Sequence, residues 1–265
     1  MKHFTLAAAA AVILHTLSCS GLQHAAGPAD NMNTDATRQG LTPDASALLK
    51  SLLFSDESLE ELLAHTDRSS AGSEADPWLG FSQAVSHKKG GKAEEAKKDL
   101  RRVLSMPDPE TRSLLSAWTA LRALGERPRP EEADVVQGVV FELHNEAGIG
   151  TVAAYRDGRA RFFGGKGAAS FWEAPHSDKG VDALIEKFLK QAEPFVKRAP
   201  AVERHNSVDV PLDHIRVTVL TFGGLHITDV YGPAIEDERH FAGPILMTSV
   251  ELLNALTDKG LEKDN

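Results

Sequence analysis

The sequence predicts an α+β protein: helical hairpins first, then an antiparallel sheet of about six strands with two packed helices. Three observations carry this. Leucines recur at helical spacing between Leu48 and Leu63. The breaker run Arg127-Pro128-Arg129-Pro130 follows the last helical stripe, and beyond it the apolar period shortens to that of strands. The expected organisation is 1–19 signal peptide, 20–41 flexible tether, 42–126 helical region and 134–258 sheet domain.

Composition bounds the function. Of 265 residues, 42% are apolar and 25% charged, enough to bury a core in the ordinary globular range. A net charge of −9 argues against binding a phosphate backbone, which needs clustered Lys and Arg; no nucleic-acid partner is expected. A single cysteine, Cys19, excludes an internal disulfide.

The N-terminus carries the clearest message. Lys2 and His3 precede Phe4 to Leu14, apolar apart from Thr5. Such a run is too short to span a bilayer and suits the core of an export signal. His15-Thr16-Leu17-Ser18-Cys19 then resembles the lipobox of bacterial lipoproteins, with Ser18 as the small residue and Thr16 in place of the usual Leu. The resemblance implies lipidation of Cys19 and a membrane anchor at the new N-terminus. Cleavage after Ser20, which would discard Cys19, is the competing reading. The polar residues from Gly21 to Leu41 read as a tether, with a reach of about 25 Å for some 20 flexible residues.

Thr42-Pro43-Asp44 is a helix start, with a capping hydroxyl, proline in the first turn and an acid behind it. Leu48, Leu49, Leu52 and Leu53 form its stripe. A second helix is expected from Ser55, with Leu59, Leu62 and Leu63 inward. Trp78 to Val85, Lys92 to Leu104, and Pro109 to Leu124 read as further helices, the last stopped by Gly125. The segment Gly91 to Leu100 resembles the second helix of a tetratricopeptide repeat, with Ala96 at the close helix contact, Leu100 one turn on, and Ala84 as the small residue of the partner helix. Ala93 and His87 stand where that repeat usually has aromatics. Trp78, Phe81 and Trp118 read as core residues rather than a ligand cage.

In the C-terminal half, Val135–His144, Thr151–Tyr155, Ala160–Phe163 and Ala168–Glu173 read as strands, with Asp157-Gly158 as a hairpin turn. Val181, Ile185, Phe188, Ala192 and Phe195 mark one face of an amphipathic helix. A second hairpin, His214–Phe222 and Leu225–Val230, is expected to fold over Gly223-Gly224, and a last helix runs from Pro244 to Asp258. Four strands, helix, two strands, helix implies helices on one face of an antiparallel sheet, a layout shared with profilin-like and roadblock-like domains. The segments Val139-Val140-Phe141-Glu142, Val152-Ala153-Ala154-Tyr155, Phe171-Trp172-Glu173 and Leu220 to His226 resemble a family of uncharacterised bacterial secreted proteins in which short helical repeats precede such a domain. The resemblance spans about residues 78–256 and implies architecture, not activity.

Candidate chemistry is sparse. Glu142, His144 and Glu146 alternate and could share a side of one strand as metal ligands, but a half-exposed strand shows the same pattern. Gly164-Gly165-Lys166-Gly167 lacks the Ser or Thr and the following helix of a phosphate loop. His226 beside a Gly-Gly turn, with Asp229 and Asp237 nearby, is the best polar cluster, alongside Glu142 and His144. No reactive serine elbow or zinc-protease histidine pair is present, and no cofactor is expected. The expected function is therefore a lipid-anchored, non-catalytic protein-interaction module of the cell envelope. The alternative is a periplasmic enzyme or metal binder using polar residues of the sheet.

Overall fold

In the helical half, side chains cap the helices where the sequence offers the right oxygen. The computed structural model describes residues 37–40, 48–64, 76–146, 148–164, 168–173, 175–205, 209–235 and 239–261. The expected signal peptide, Cys19 and the helix start at Thr42 lie outside them. Residues 48–51 are helical and lead into the buried Leu53 and Phe54. Helix α1 (Leu59–Ala64) opens on Ser58. Ser58 Oγ accepts the Glu61 amide at 3.2 Å and Glu61 Oε2 accepts the Ser58 amide at 2.8 Å, a reciprocal capping box. The start expected at Ser55 thus falls one turn later, and Ser55 itself turns the chain at φ 52°.

Helix α2 (Pro77–Lys89) is capped by Asp76, whose Oδ1 accepts the Trp78 amide at 3.0 Å. It packs antiparallel on α3 (Ala93–Leu104) with Ala84 and Ala96 fully buried. The approach is so close that a Cβ on Gly80 would lie 2.5 Å from Val103 Cγ2. Helix α4 (Thr111–Ala123) follows, and Gly125, at φ 83°, ends it as expected. The short α5 (Pro130–Ala133) closes the breaker run.

The sheet comprises β1 (Thr37–Gly40), β2 (Val136–Asn145), β3 (Gly148–Tyr155), β4 (Ala160–Phe163), β5 (Ala168–Trp172), β6 (His214–Thr221) and β7 (Gly224–Tyr231). Their order is β1-β5-β4-β3-β2-β6-β7, every neighbouring pair antiparallel. Strands β2 to β7 are the six expected. Strand β1 comes from the stretch read as tether and extends the sheet beside β5. Helices α6 (Lys179–Val196) and α7 (Gly243–Leu261) are the two expected helices. Among the described residues no helix is long and apolar enough to cross a membrane.

The two C-terminal helices share one face of the sheet as expected, and the helical half covers the other. Val139, Phe141, Val152 and Ala154 face α6 and α7, in a core with Ile185, Phe188, Ile245 and Leu253. Val140, Ala153, Tyr155 and Leu220 face the other way and pack on Leu53, Phe54 and Leu115 from the helical half. The physical reason is in β2, whose Val136–Phe141 stretch is buried at every position instead of alternating. A third cluster, with Leu59, Phe81, Leu100 and Leu121, lies within the helices, and there Phe81 is core as expected.

The helical half is fastened to the sheet by polar ties as well. Asp157 of the β3–β4 turn accepts the Thr111 amide at 2.8 Å and so caps α4 from another element, while Thr111 Oγ1 accepts the Asp157 amide at 3.1 Å. Tyr155 donates its hydroxyl to the Leu53 carbonyl at 2.9 Å, and burial pushes its phenol up to about 12. Arg122, with a side chain only 2% exposed, donates to the Phe222 carbonyl at 2.6 Å and to Glu203 Oε2 at 2.8 Å.

Candidate functional site

The polar residues singled out from sequence divide between the two faces of the sheet. Successive side chains of a strand point to opposite faces, so Glu142 and His144 share the side of Val140, toward the helical half. Asp229 joins them on that side through the ladder Glu142–Arg216–Asp229 across β2, β6 and β7. His226 does not. It sits opposite Val219 on the face of α6 and α7, buried, with Nδ1 2.9 Å from the Ala199 carbonyl. A hairpin folded over Gly223-Gly224, as the sequence suggests, would place His226 opposite Thr221. The hairpin instead turns on Phe222-Gly223, so Thr221 faces Gly224 and the register moves by two residues. Gly223 is needed there, since a Cβ would meet the Ala133 carbonyl oxygen at 2.8 Å.

His144 is held by its Nδ1 contact with the Val210 carbonyl, and Glu146 lies exposed beyond the end of β2. Asp237 lies outside the described residues. Among the described residues no group of three His, Cys, Asp or Glu side chains is placed to hold a metal ion. His214 and His240 make local contacts, to the Leu212 carbonyl and the Ala242 amide.

What gathers around Glu142 is a mostly buried polar cluster. A strap, residues 199–205, crosses from the β7 edge onto this face. Val202 pairs with Leu225 through two backbone bonds of 2.8 Å, and at the strap's end His205 stacks on Phe54 with ring centroids 3.9 Å apart. His205 Nε2 stands 3.7 Å from Glu142 Oε2, the two side chains being 14% and 13% exposed. Neither atom has a hydrogen-bond partner, and the same holds for the hydroxyls of Thr151 and Thr218. Thr151 lies directly opposite Glu142 on β3, and Thr218 is one step along β6 from Arg216, opposite Val140.

Charges around the cluster are balanced. Arg216 grips Asp229 with two hydrogen bonds of 2.7 and 2.9 Å, which hold the guanidinium pKa above its ordinary value. Burial pulls the Lys50 ammonium down, opposed by the attraction of Glu142. Burial pushes the Asp56 carboxyl up, opposed by the His205 amide that it accepts. The arrangement joins one carboxylate oxygen, one imidazole nitrogen and two hydroxyls that have no protein hydrogen-bond partner, flanked by two cations. Such a set can exchange a proton or hold a small polar group. Sequence reading found Glu142 and Asp229 but missed His205, Lys50, Asp56 and Arg216. Only the Arg216–Asp229 pair had a signal, the cross-strand register of a hairpin folded about Phe222-Gly223.

Comparison with protein-family models, curated proteins and solved structures finds no match to this chain.

Proposed function

We propose that the protein is exported, anchored by a lipid on Cys19, and acts as a non-catalytic protein-interaction module of the cell envelope. The observation that carries this reading is the N-terminal order: Lys2 and His3, the apolar run to Leu14, then Ser18-Cys19. The helical pair α2/α3 supports the interaction role. Ala84 and Ala96 are fully buried in the core that the two helices share, which supports a tetratricopeptide-like hairpin. An open groove of about 1540 Å³ lies beside α6, and Val135, Leu189, Val196, Arg156, Lys190 and Glu193 are among the residues that line it. A partner segment has room there.

The test is intact mass and membrane fractionation of the full chain expressed in a bacterium, beside Cys19→Ser. A diacylglyceryl mass gain and a membrane pellet, both lost in the variant, are expected. A soluble product cut after Ser20 and indifferent to the variant would refute the anchor. Crosslinking that recovers no reproducible partner would refute the interaction role.

A second reading, a periplasmic enzyme or ligand binder, draws on the buried hydroxyls of Thr151 and Thr218 beside Glu142. Four unpaired buried atoms cost about 1–3 kcal/mol each, which favours an occupant such as water or a small polar molecule. A bound small molecule released from native purified protein would support it. Only water at that position in a high-resolution structure would remove its motive.

A further inference from the structure

We propose that Glu142 and His205 form a proton-operated latch that fastens the strap, and with it the helical half, to the sheet. The inference stands on geometry and does not depend on export or on any partner. Two potential partners face each other at 3.7 Å, too far for a hydrogen bond, and each is otherwise unpaired. If His205 is neutral with its proton on Nδ1, two acceptors oppose each other. If the proton is on Nε2, a neutral N–H faces the carboxylate across the same gap without a charge to draw the two together. A proton taken up from solvent gives an imidazolium whose Nε2–H donates to the carboxylate, satisfying both atoms at once. Closure from 3.7 Å to about 2.8 Å then draws the strap inward.

The neighbouring groups leave Glu142 available for this. Arg216 is occupied by Asp229, and Lys50 Nζ reaches the Ile149 carbonyl at 3.5 Å. Arg204, next to His205, is turned to Glu61 at 2.7 Å. The charged groups around the pair are Lys50 and Arg216, which interact with Glu142, and the Asp56 carboxylate, which interacts with His205. The Asp56 carboxylate also holds the His205 backbone amide, so the imidazole is oriented from behind. Since the His205 ring lies on Phe54, which shares a core with Val140 and Tyr155, tightening at Glu142 is carried to the segment that seats the helical half.

The test is amide hydrogen exchange of the full chain at pH 8 and pH 5.5, corrected for intrinsic exchange chemistry. Wild type, Glu142→Gln, His205→Gln and the double variant would be compared. Imidazoles as a class gain their proton across this range. Protection of the strap and of residues 53–58 is expected to rise about tenfold in wild type at pH 5.5 relative to either single variant. The coupling between the two positions in the double-variant cycle should appear only at the acid pH. A coupling that ignores pH, or wild-type protection that falls on acidification, would overturn the latch. If the variants do not fold, nuclear magnetic resonance of wild type decides. A slowly exchanging, downfield Hε2 on His205 at pH 5.5 is expected, and its absence would overturn the proposal equally.

Discussion

Replacing Arg122 by Met should destabilise the protein by about 3 kcal/mol, while the same change at Arg127 should cost less than about 0.5 kcal/mol. Both arginines bind Glu203, at 2.8 Å in each case. They differ in everything else. The Arg122 side chain is 2% exposed and the Arg127 side chain 63%. Met keeps most of the Arg122 stem, so the loss is chiefly polar. The Phe222 carbonyl loses its 2.6 Å donor beside the tight Phe222-Gly223 turn, worth about 1–3 kcal/mol. The Glu203 pair adds at most about 1 kcal/mol, because that carboxylate is 55% exposed and screened by water. Burial pushes Glu203 up, yet hydrogen bonds from Arg122 and Arg127 outweigh it and hold the carboxyl below its ordinary value; removing Arg127 alone leaves the stronger of them. Urea unfolding followed by tryptophan fluorescence is the assay. With a slope of roughly 2–3 kcal/mol per molar for a chain this size, the midpoint should fall by about 1 M for Arg122→Met. If the two variants shift the midpoint equally, or Arg122→Met shifts it by less than about 0.2 M, the buried tie between helices and sheet is not what holds them together.

Two further outcomes follow from close contacts. Gly80→Ala should cost about 1–2 kcal/mol by thermal unfolding despite the better helix propensity of alanine, because the new methyl lies 2.5 Å from the fully buried Val103; a gain in stability would show that α2 and α3 can part without penalty. Asp157→Ala removes the carboxylate that caps α4 and keeps the backbone bond from residue 157 to Thr111 Oγ1, and should cost about 1–2 kcal/mol. The measurement that separates this from a mere turn effect is amide exchange at Thr111, which should accelerate in the variant while β3 amides stay protected.

The hairpin of β3 and β4 was legible because Asp157-Gly158 is a local instruction: Gly158 adopts φ 83°, which glycine takes without strain. The α6 face was legible because Val181, Ile185, Phe188, Ala192 and Phe195 repeat at one period and are all buried. The second hairpin was misregistered because Phe222-Gly223-Gly224 offers two places to turn, and only contact with the Ala133 carbonyl selects one. Half of the polar cluster stayed hidden for a related reason. His205 lies in a polar crossing segment with no periodicity, 63 residues from Glu142, and nothing local distinguishes it from a solvated histidine.

The sequence by itself determined the class of the fold, the six C-terminal strands and the two helices behind them. These follow from periodicity and turn chemistry, which act over a few residues. The tertiary structure alone decided that both faces of the sheet are buried, that Asp157 caps a helix 46 positions away in the chain, and that Glu142 meets His205. Those outcomes depend on which elements pack together. An apolar or charged side chain states that it needs a partner, and only the folded chain supplies which one.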